Sequence, residues 1–286
     1  MQVDPLAWGL ASMVSWGVSD YLARHAALRL GSPVVAMVVQ GLGIAPPVVL
    51  AISNHDPWAV IAQWDFLLLA VAAGSLFALA YTTYYRGLER GQVFIVSPLS
   101  SGWLVITTLL AAMLFHESIS LVQGLLITLV LAGIVLTSVQ GYGAASASIS
   151  GVWYGLTAMF TMGLAFTIWK PLVDAGGPYV AVVAVRVVST VFLGLFLASR
   201  KAQLPPMGAG VAVFAAGAAA LDSVGFVAFN MGIERAPVSL ITPVAASYPV
   251  VTLLLAWFLL KERVGLIQMA GIAAVLGGVA AYGAFA

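Results

Sequence analysis

Residues Gly87 to Gln123 read GLERGQVFIVSPLSSGWLVITTLLAAMLFHESISLVQ, and residues Gly232 to Gln268 read GIERAPVSLITPVAASYPVVTLLLAWFLLKERVGLIQ. The two stretches align without a gap, each residue recurring 145 positions later. Identical residues recur throughout the alignment, namely Gly87/Gly232, Glu89/Glu234, Arg90/Arg235, Pro98/Pro243, Thr107/Thr252, Glu117/Glu262 and Gln123/Gln268. The chain therefore contains an internal duplication.

The composition is that of a membrane protein. Hydrophobic residues make up 62% of the chain and charged residues 7%, with a mean hydropathy of +1.08, whereas soluble domains carry roughly 25% charged residues. The net charge of +1 argues against a nucleic-acid partner. Cysteine is absent, which excludes disulfides and thiolate metal sites. We expect no cofactor and no bound metal.

Ten apolar stretches have the length that a membrane helix needs, about 20 residues. They lie near 6–27, 33–52, 64–85, 92–115, 119–139, 150–170, 178–199, 208–232, 238–260 and 264–284. We divide the chain into two halves, 1–144 and 145–286, with five spans each. Because five is odd, the second half crosses the membrane in the opposite sense, as in the inverted repeats of transporters. The predicted fold is an all-α membrane protein with ten transmembrane helices, arranged as two inverted five-helix repeats.

The duplication extends to the first and sixth spans. These match at an offset of 146 positions in Gly9/Gly155, Leu10/Leu156, Met13/Met159, Gly17/Gly163 and Arg24/Lys170. An insertion of a single residue reconciles the two offsets. The fifth and tenth spans share little beyond Gly133/Gly278.

The order of these motifs carries a family resemblance. The first span contains a Trp-Gly pair, Trp16-Gly17. The fourth span has a proline near its middle, and a glutamate and a glutamine follow that span. These three residues recur in the second half, as Pro98/Pro243, Glu117/Glu262 and Gln123/Gln268. The chain resembles the drug/metabolite transporter superfamily with two EamA-type repeats. It departs from a perfect repeat at Met269, which replaces Gly124, and at His116, which replaces Lys261.

The resemblance implies a central cavity lined mainly by spans 1, 3, 4, 6, 8 and 9, with spans 5 and 10 packed at the periphery. It also implies secondary transport of small metabolites, often export of amino acids, and termini in the cytoplasm. The distribution of Lys and Arg favours the reverse orientation. The face with the termini has only Lys170 and Arg235, whereas the other face has Arg24, Arg29, Arg86, Arg90, Arg200, Lys201, Lys261 and Arg263. The orientation stays open.

Small polar side chains and prolines mark the fourth and ninth spans. Ser97 and Ser100 belong to a polar stripe that either borders the cavity or permits close helix packing. Pro98 and Pro243 each remove a backbone donor at equivalent positions. We expect them to act as hinges.

Aromatic residues are concentrated on the spans that the resemblance places around the cavity. The substrate-binding candidates among them are Trp16, Tyr81, Tyr85, Trp103, Phe226 and Tyr248. The alternative for each is an ordinary lipid-facing or interfacial position. Trp103 and Tyr248 are repeat partners, so we expect them to face each other across the cavity. Asn230, the repeat partner of Tyr85, adds a polar contact.

Ionisable side chains within the spans need an explanation, because each costs about 2.5–3.5 kcal/mol on insertion scales. Asp20 and Arg24 have the spacing of an intrahelical ion pair. Asp222 and Arg186 either pair between neighbouring helices or serve transport. In the second case Arg186 binds a substrate carboxylate, and Asp222 or Asp20 carries a coupling proton.

The leading hypothesis is a secondary active or facilitative transporter that moves a small metabolite by alternating access, with an amino acid, aromatic in particular, exported. One alternative is uptake of a vitamin or nucleoside-like compound, and another is a scaffold without transport activity. Enzymatic activity is not expected: His116-Glu117 is followed by Ser120 where a zinc protease has a second histidine. We expect a monomer in the lipid bilayer of the plasma membrane, the inner membrane in a bacterium.

Overall fold

Helices account for nearly all of the chain that the structure, a computed structural model, describes: residues 4–90, 93–137, 149–201, 205–260 and 265–284. These residues contain no β-strand. The α-helices are α1 (Pro5–Leu30), α2 (Ser32–Leu42), α3 (Ala45–Ser53), α4 (Trp64–Arg90), α5 (Val93–Ser101), α6 (Trp103–Leu114), α7 (Leu121–Thr137), α8 (Ile149–Ser199), α9 (Ala209–Arg235), α10 (Val238–Ala245), α11 (Tyr248–Leu260) and α12 (Leu266–Ala284). A 3₁₀ turn, Trp58–Ala62, precedes α4.

These helices build the ten predicted spans. Spans 2, 4 and 9 each consist of two consecutive helices, α2 with α3, α5 with α6, and α10 with α11. Spans 6 and 7 are the parts of α8 before and after a non-helical residue, Gly177. Five segments are by themselves long and apolar enough to cross a membrane: Ser32–Ser53, Trp64–Glu89, Gly151–Ser199, Ala209–Arg235 and Val238–Leu259. The ten-helix fold class is confirmed.

The first span of each repeat ends at a glycine with a left-handed backbone. Gly31 has φ 81° and Gly177 has φ 76°, a region that residues with a side chain rarely adopt. The two positions are 146 residues apart, the offset that relates spans 1 and 6. The duplication therefore includes the turn between the first two spans of each repeat.

Spans 4 and 9 are interrupted at equivalent points. In span 4 the break falls on Gly102, between α5 and α6, and in span 9 on Ala246 and Ser247, between α10 and α11. Gly102 and Ser247 are repeat partners. The predicted hinge prolines lie shortly before the breaks, Pro98 within α5 and Pro243 within α10. A proline inside a helix withholds the hydrogen bond to the carbonyl four residues earlier, so each span has one backbone bond fewer in the helix ahead of its break.

The two repeats interlock, because span 1 packs against the second repeat. A β-carbon added at Gly17 would lie 2.7 Å from the carbonyl oxygen of Tyr248 and 2.8 Å from Cγ1 of Val251. The Thr252 hydroxyl donates a hydrogen bond of 3.1 Å to the Gly17 carbonyl. The absent side chain thus lets α1 approach α11 closely, as small residues do in membrane bundles.

The same crossing recurs between span 6 and the first repeat. A β-carbon at Gly163 would lie 2.6 Å from the β-carbon of Ile106, and the Thr107 hydroxyl donates to the Gly163 carbonyl at 3.1 Å. Each participant is the repeat partner of one at the first crossing. Spans 1 and 6 are therefore exchanged between the repeats, and neither repeat forms a separate bundle.

Spans 5 and 10 pack on each other through the glycines that the sequence repeats. Gly133 faces Val275, whose Cγ2 would lie 2.8 Å from an added β-carbon, and Gly278 faces Val130 at the same distance. Val130 and Val275 are themselves repeat partners. Many other side chains of α7 and α12 are exposed, which agrees with a peripheral position against lipid.

We predict that Gly163→Ala destabilises the fold by about 1–3 kcal/mol, the usual cost of overpacking, because the new methyl group would overlap Ile106. The measurement is the melting temperature of the purified protein in detergent. Gly194→Ala is the matched control, since a β-carbon there meets nothing within 4 Å, and it should melt at or above the wild-type temperature. Equal melting of both variants would contradict the interlocked crossing.

Candidate functional site

A small pocket lies between the helices of the bundle. Its lining residues are Trp16, Asp20, Phe77, Tyr81, Tyr84, Trp103, Met162, Phe166, Asp222, Phe226 and Tyr248. They come from spans 1, 3, 4, 6, 8 and 9, the six spans that the family resemblance implies. Of these residues only Asp20 is not buried. The lining is therefore mostly buried in this conformation.

The pocket lies on the axis that relates the two repeats. Ten of its lining residues form five repeat-partner pairs: Trp16/Met162, Asp20/Phe166, Phe77/Asp222, Tyr81/Phe226 and Trp103/Tyr248. The eleventh, Tyr84, has Phe229 as its repeat partner, and Phe229 packs edge-on against Trp103 at 6.1 Å between ring centroids. The two repeats thus supply equivalent positions to one shared space.

Hydroxyl and carboxylate groups line one part of the pocket. The Tyr84 hydroxyl donates a hydrogen bond of 2.5 Å to Oδ2 of Asp20, and its oxygen also lies 3.2 Å from the Ser97 hydroxyl. The Tyr248 hydroxyl lies 3.3 Å from the Ser100 hydroxyl. Ser97 and Ser100, both substrate-binding candidates, therefore hold the pocket's tyrosines without lining the pocket themselves.

Aromatic rings form another part of the lining, which we call the aromatic wall. Phe166 stacks on Trp103 at 4.0 Å between centroids and on Phe226 at 5.7 Å. Trp16 contacts Trp103 edge-on at 6.2 Å and Tyr248 edge-on at 6.3 Å. Trp103 and Tyr248 thus line the same pocket and each contacts Trp16; that they face each other across the pocket stays a prediction.

Arg186 and Asp222 form a buried ion pair next to the pocket. Arg186 Nη2 lies 2.5 Å from Oδ2 of Asp222, while its Nη1 donates to the Gln40 side chain at 2.9 Å and to the Val39 carbonyl at 3.2 Å. Only 2% of Arg186 is exposed, and it does not line the pocket. Of the two readings of this pair, the structure shows the interhelical ion pair. Gln40 is the repeat partner of Arg186 at the 146 offset.

The break in span 2 makes room for the arginine. An added β-carbon at Gly43 would lie 2.9 Å from the Arg186 guanidinium carbon, so a glycine is needed there. The Gly43 carbonyl accepts a hydrogen bond from the Ser223 hydroxyl. This break separates α2 from α3 and was not expected from the sequence.

The expected pair between Asp20 and Arg24 does not form. Within the described residues the ion pairs are Lys170 with Asp174, Arg186 with Asp222, and Arg235 with Glu234. The spacing of Asp20 and Arg24 is compatible with a helical pair, but Tyr84 from α4 takes the carboxylate instead. Asp20 therefore faces the pocket and α4.

Two further candidates lie beside the pocket. Tyr85 is fully buried and packs edge-on against Tyr81 at 5.4 Å. Asn230 donates a hydrogen bond of 2.9 Å to the carbonyl of Pro178, which joins span 8 to the start of span 7. Neither residue lines the pocket.

Four lining residues were not among the substrate-binding candidates, although one of them, Tyr84, belongs to the aromatic residues of span 3: Phe77, Tyr84, Met162 and Phe166. Three of them are repeat partners of candidate residues: Phe77 of Asp222, Met162 of Trp16, and Phe166 of Asp20. Applying the repeat offset to every candidate would have found these three. Tyr84 occurs at the right helical spacing, since it follows Tyr81 by three residues on α4.

The geometry defines a class of membrane protein, a duplicated ten-span bundle with a pocket between its inverted halves. A sequence model of the EamA-like transporter family matches residues 5–139 and again residues 149–283. The chain belongs to the EamA-like transporter family. It is thus a multi-pass membrane protein that transports small molecules. The boundary at residues 144 and 145 lies outside the described residues and stays a prediction.

A solved structure, titled only as the crystal structure of a protein, has the same fold. It matches with a TM-score of 0.80 and 16% sequence identity, over 99% of this chain and 97% of that chain. No curated protein sequence matches significantly. The structural likeness supports the fold alone.

We predict that Arg186→Met destabilises the protein by about 3–5 kcal/mol, because it leaves Asp222 charged and unpaired in the bundle. A double variant, Arg186→Met with Asp222→Leu, should recover at least half of this loss, since it removes both charges. Melting temperatures of the two variants and of the wild type make the comparison. A double variant less stable than the single one would contradict this account of the pair.

Proposed function

We propose that this chain is a secondary active or facilitative transporter that works by alternating access, with an amphipathic aromatic metabolite, an amino acid in the simplest case, as the exported substrate. The observation that carries the proposal is the pairwise origin of the pocket. Because the same positions of two inverted repeats line one space, a motion that opens it to one face has an equivalent motion that opens it to the other. A scaffold would have no need of such a pocket.

The broken spans offer the moving parts. The breaks at Gly102 and Ser247 fall directly before Trp103 and Tyr248, each of which lines the pocket. A bend at either break would change the position of the ring that follows it. We infer that span 4 and span 9 bend in turn, and that each bend opens the pocket toward one face of the membrane.

The pocket's chemistry supports an amphipathic substrate. Its aromatic wall, Trp103, Phe166 and Phe226, can bury an aromatic or aliphatic group, while Asp20 and the tyrosine hydroxyls offer polar partners. Aromatic pairs contribute about 0.5–1.5 kcal/mol beyond the area that they bury. The pocket is small and its lining is almost fully buried, so side chains must move before an aromatic metabolite fits.

We propose that Asp20, in preference to Asp222, carries the coupling proton. Asp222 is engaged by Arg186 and by Tyr81, which donates at 2.7 Å. Protonation of Asp222 would therefore leave Arg186 as an unpaired buried charge. Asp20 has no basic partner among the described residues. Export and residence in the plasma membrane are proposed from the family resemblance.

We predict that Trp103→Ala lowers the flux of aromatic substrates in proteoliposomes about tenfold, because the ring that stacks on Phe166 is lost. Trp153→Ala is the matched control: Trp153 is 65% exposed on α8 and outside the pocket, so its flux should equal that of the wild type. Size-exclusion chromatography verifies that both variants are folded. Unchanged flux in folded Trp103→Ala protein would contradict the proposed site.

We predict that Pro243→Ala slows turnover several-fold while substrate affinity stays within about twofold, because the new backbone donor stiffens span 9 near its break. Turnover is measured as exchange in proteoliposomes, and affinity by calorimetry in detergent. Pro237→Ala is the control, since Pro237 is exposed and lies at the start of α10 instead of inside it. Wild-type turnover in Pro243→Ala would reject the hinge.

A further inference from the structure

Asp20 is the carboxylate that the fold leaves in the pocket without a countercharge. Its Oδ2 accepts the Tyr84 hydroxyl at 2.5 Å. No Lys, Arg or His side chain of the described residues lies within 4.0 Å of either oxygen. Asp20 is also the lining residue that keeps partial exposure. A ligand in the pocket can therefore reach it.

The second carboxylate of the pocket is already satisfied. Asp222 accepts the Tyr81 hydroxyl on Oδ1 at 2.7 Å and the Arg186 guanidinium on Oδ2 at 2.5 Å. One charge of this pair cancels the other. Asp20 is thus the carboxyl group of the described lining that has no cationic partner.

The hydroxyl donors of the lining that could receive a carboxylate of the substrate are already in use. The Tyr81 and Tyr84 hydroxyls donate to aspartates, and the Tyr248 hydroxyl is within 3.3 Å of Ser100. The indole nitrogen of Trp16 has no hydrogen-bond partner, but it is turned toward α9, where it would lie 2.6 Å from an added β-carbon at Gly225. A carboxylate buried here would have few partners, which is costly, and would be repelled by the ionised form of Asp20.

Aromatic faces next to Asp20 favour a cation. Trp16 precedes Asp20 by four residues on α1, so both side chains are on one face of the helix. Phe166 contacts Trp16 at 5.5 Å between centroids, which continues the aromatic surface away from the carboxylate. Aromatic rings attract ammonium groups through their negative faces, and the same rings bury an apolar group.

We propose that the pocket binds the protonated amine of its substrate at Asp20 and selects aromatic monoamines, cations that lack a carboxylate, over free aromatic amino acids. The amine donates to the carboxylate, and the aromatic ring of the substrate lies among Trp16, Trp103 and Phe166. This inference rests on the proposed transport of an amphipathic aromatic metabolite, and within that class it replaces the amino acid with a monoamine. In this assignment Asp20 recognises the charge of the substrate's amine, and the aromatic wall recognises the shape of its ring.

Three ligands that share one phenyl ring test the proposal on the purified wild-type protein. Calorimetry should give phenethylamine an affinity at least tenfold higher than phenylalanine, and no measurable binding of 3-phenylpropionate. Equal or tighter binding of phenylalanine, any binding of 3-phenylpropionate, or no binding of phenethylamine would overturn the assignment.

Two variants test the role of Asp20 itself. Asp20→Asn keeps an acceptor for Tyr84 but loses the charge, and should weaken phenethylamine binding at least tenfold. Asp20→Glu keeps the charge and should retain binding within about threefold. Asp174→Asn is the matched control, because Asp174 pairs with Lys170 outside the pocket. Wild-type affinity in Asp20→Asn overturns the proposal; if that variant is unfolded, the wild-type ligand series alone decides.

Flux measurements separate this inference from the proposed function. Proteoliposomes that transport phenylalanine faster than phenethylamine would support transport and overturn the amine selectivity. Proteoliposomes that transport neither compound, although phenethylamine binds with the expected preference, would overturn transport of this substrate class and leave the binding assignment standing.

Discussion

Two helix crossings carry the architecture: α1 over α11 at Gly17, and the first part of α8 over α6 at Gly163. Between helices in lipid there is no hydrophobic driving force, since the acyl chains are as apolar as leucine, so association depends on close packing and on interhelical hydrogen bonds. Each crossing supplies both, a glycine without a side chain and a threonine hydroxyl bonded to its carbonyl. These crossings bring spans 1 and 6 together at the pocket, where Trp16 and Phe166 are in contact.

The two repeats share a backbone fold, but the side chains at equivalent positions differ in polarity. Where the first repeat places Asp20, the second places Phe166, and where the second places Asp222, the first places Phe77. The backbone equivalence is what a motion between two faces requires. The inequality of the side chains gives the pocket a charged part and an aromatic part, so that an amphipathic molecule meets a different surface at each end.

The buried pair of Arg186 and Asp222 contributes to this difference between the charged and aromatic parts of the pocket. Arg186 reaches its own repeat partner, Gln40, and the carbonyl of Val39, so it ties span 2 to spans 7 and 8. Such pairs contribute little net stability, because desolvation offsets their attraction. Their benefit here is geometric: Asp222 is held in the pocket wall without presenting a free charge, which leaves Asp20 as the group that a ligand meets.

The sequence alone determined the duplication, the ten spans, their inverted sense and several pocket residues, because hydrophobic length, repeated glycines and prolines, and an odd span count are properties of the chain order. It could not determine which polar groups pair, since partners such as Tyr84 with Asp20 or Arg186 with Gln40 lie 64 and 146 residues apart. Helical spacing favoured Arg24 as the partner of Asp20. Only the tertiary structure brought Tyr84 to Asp20 and Trp16 to Trp103, because side-chain contacts depend on how helices cross, and the crossings are decided jointly by residues from both repeats.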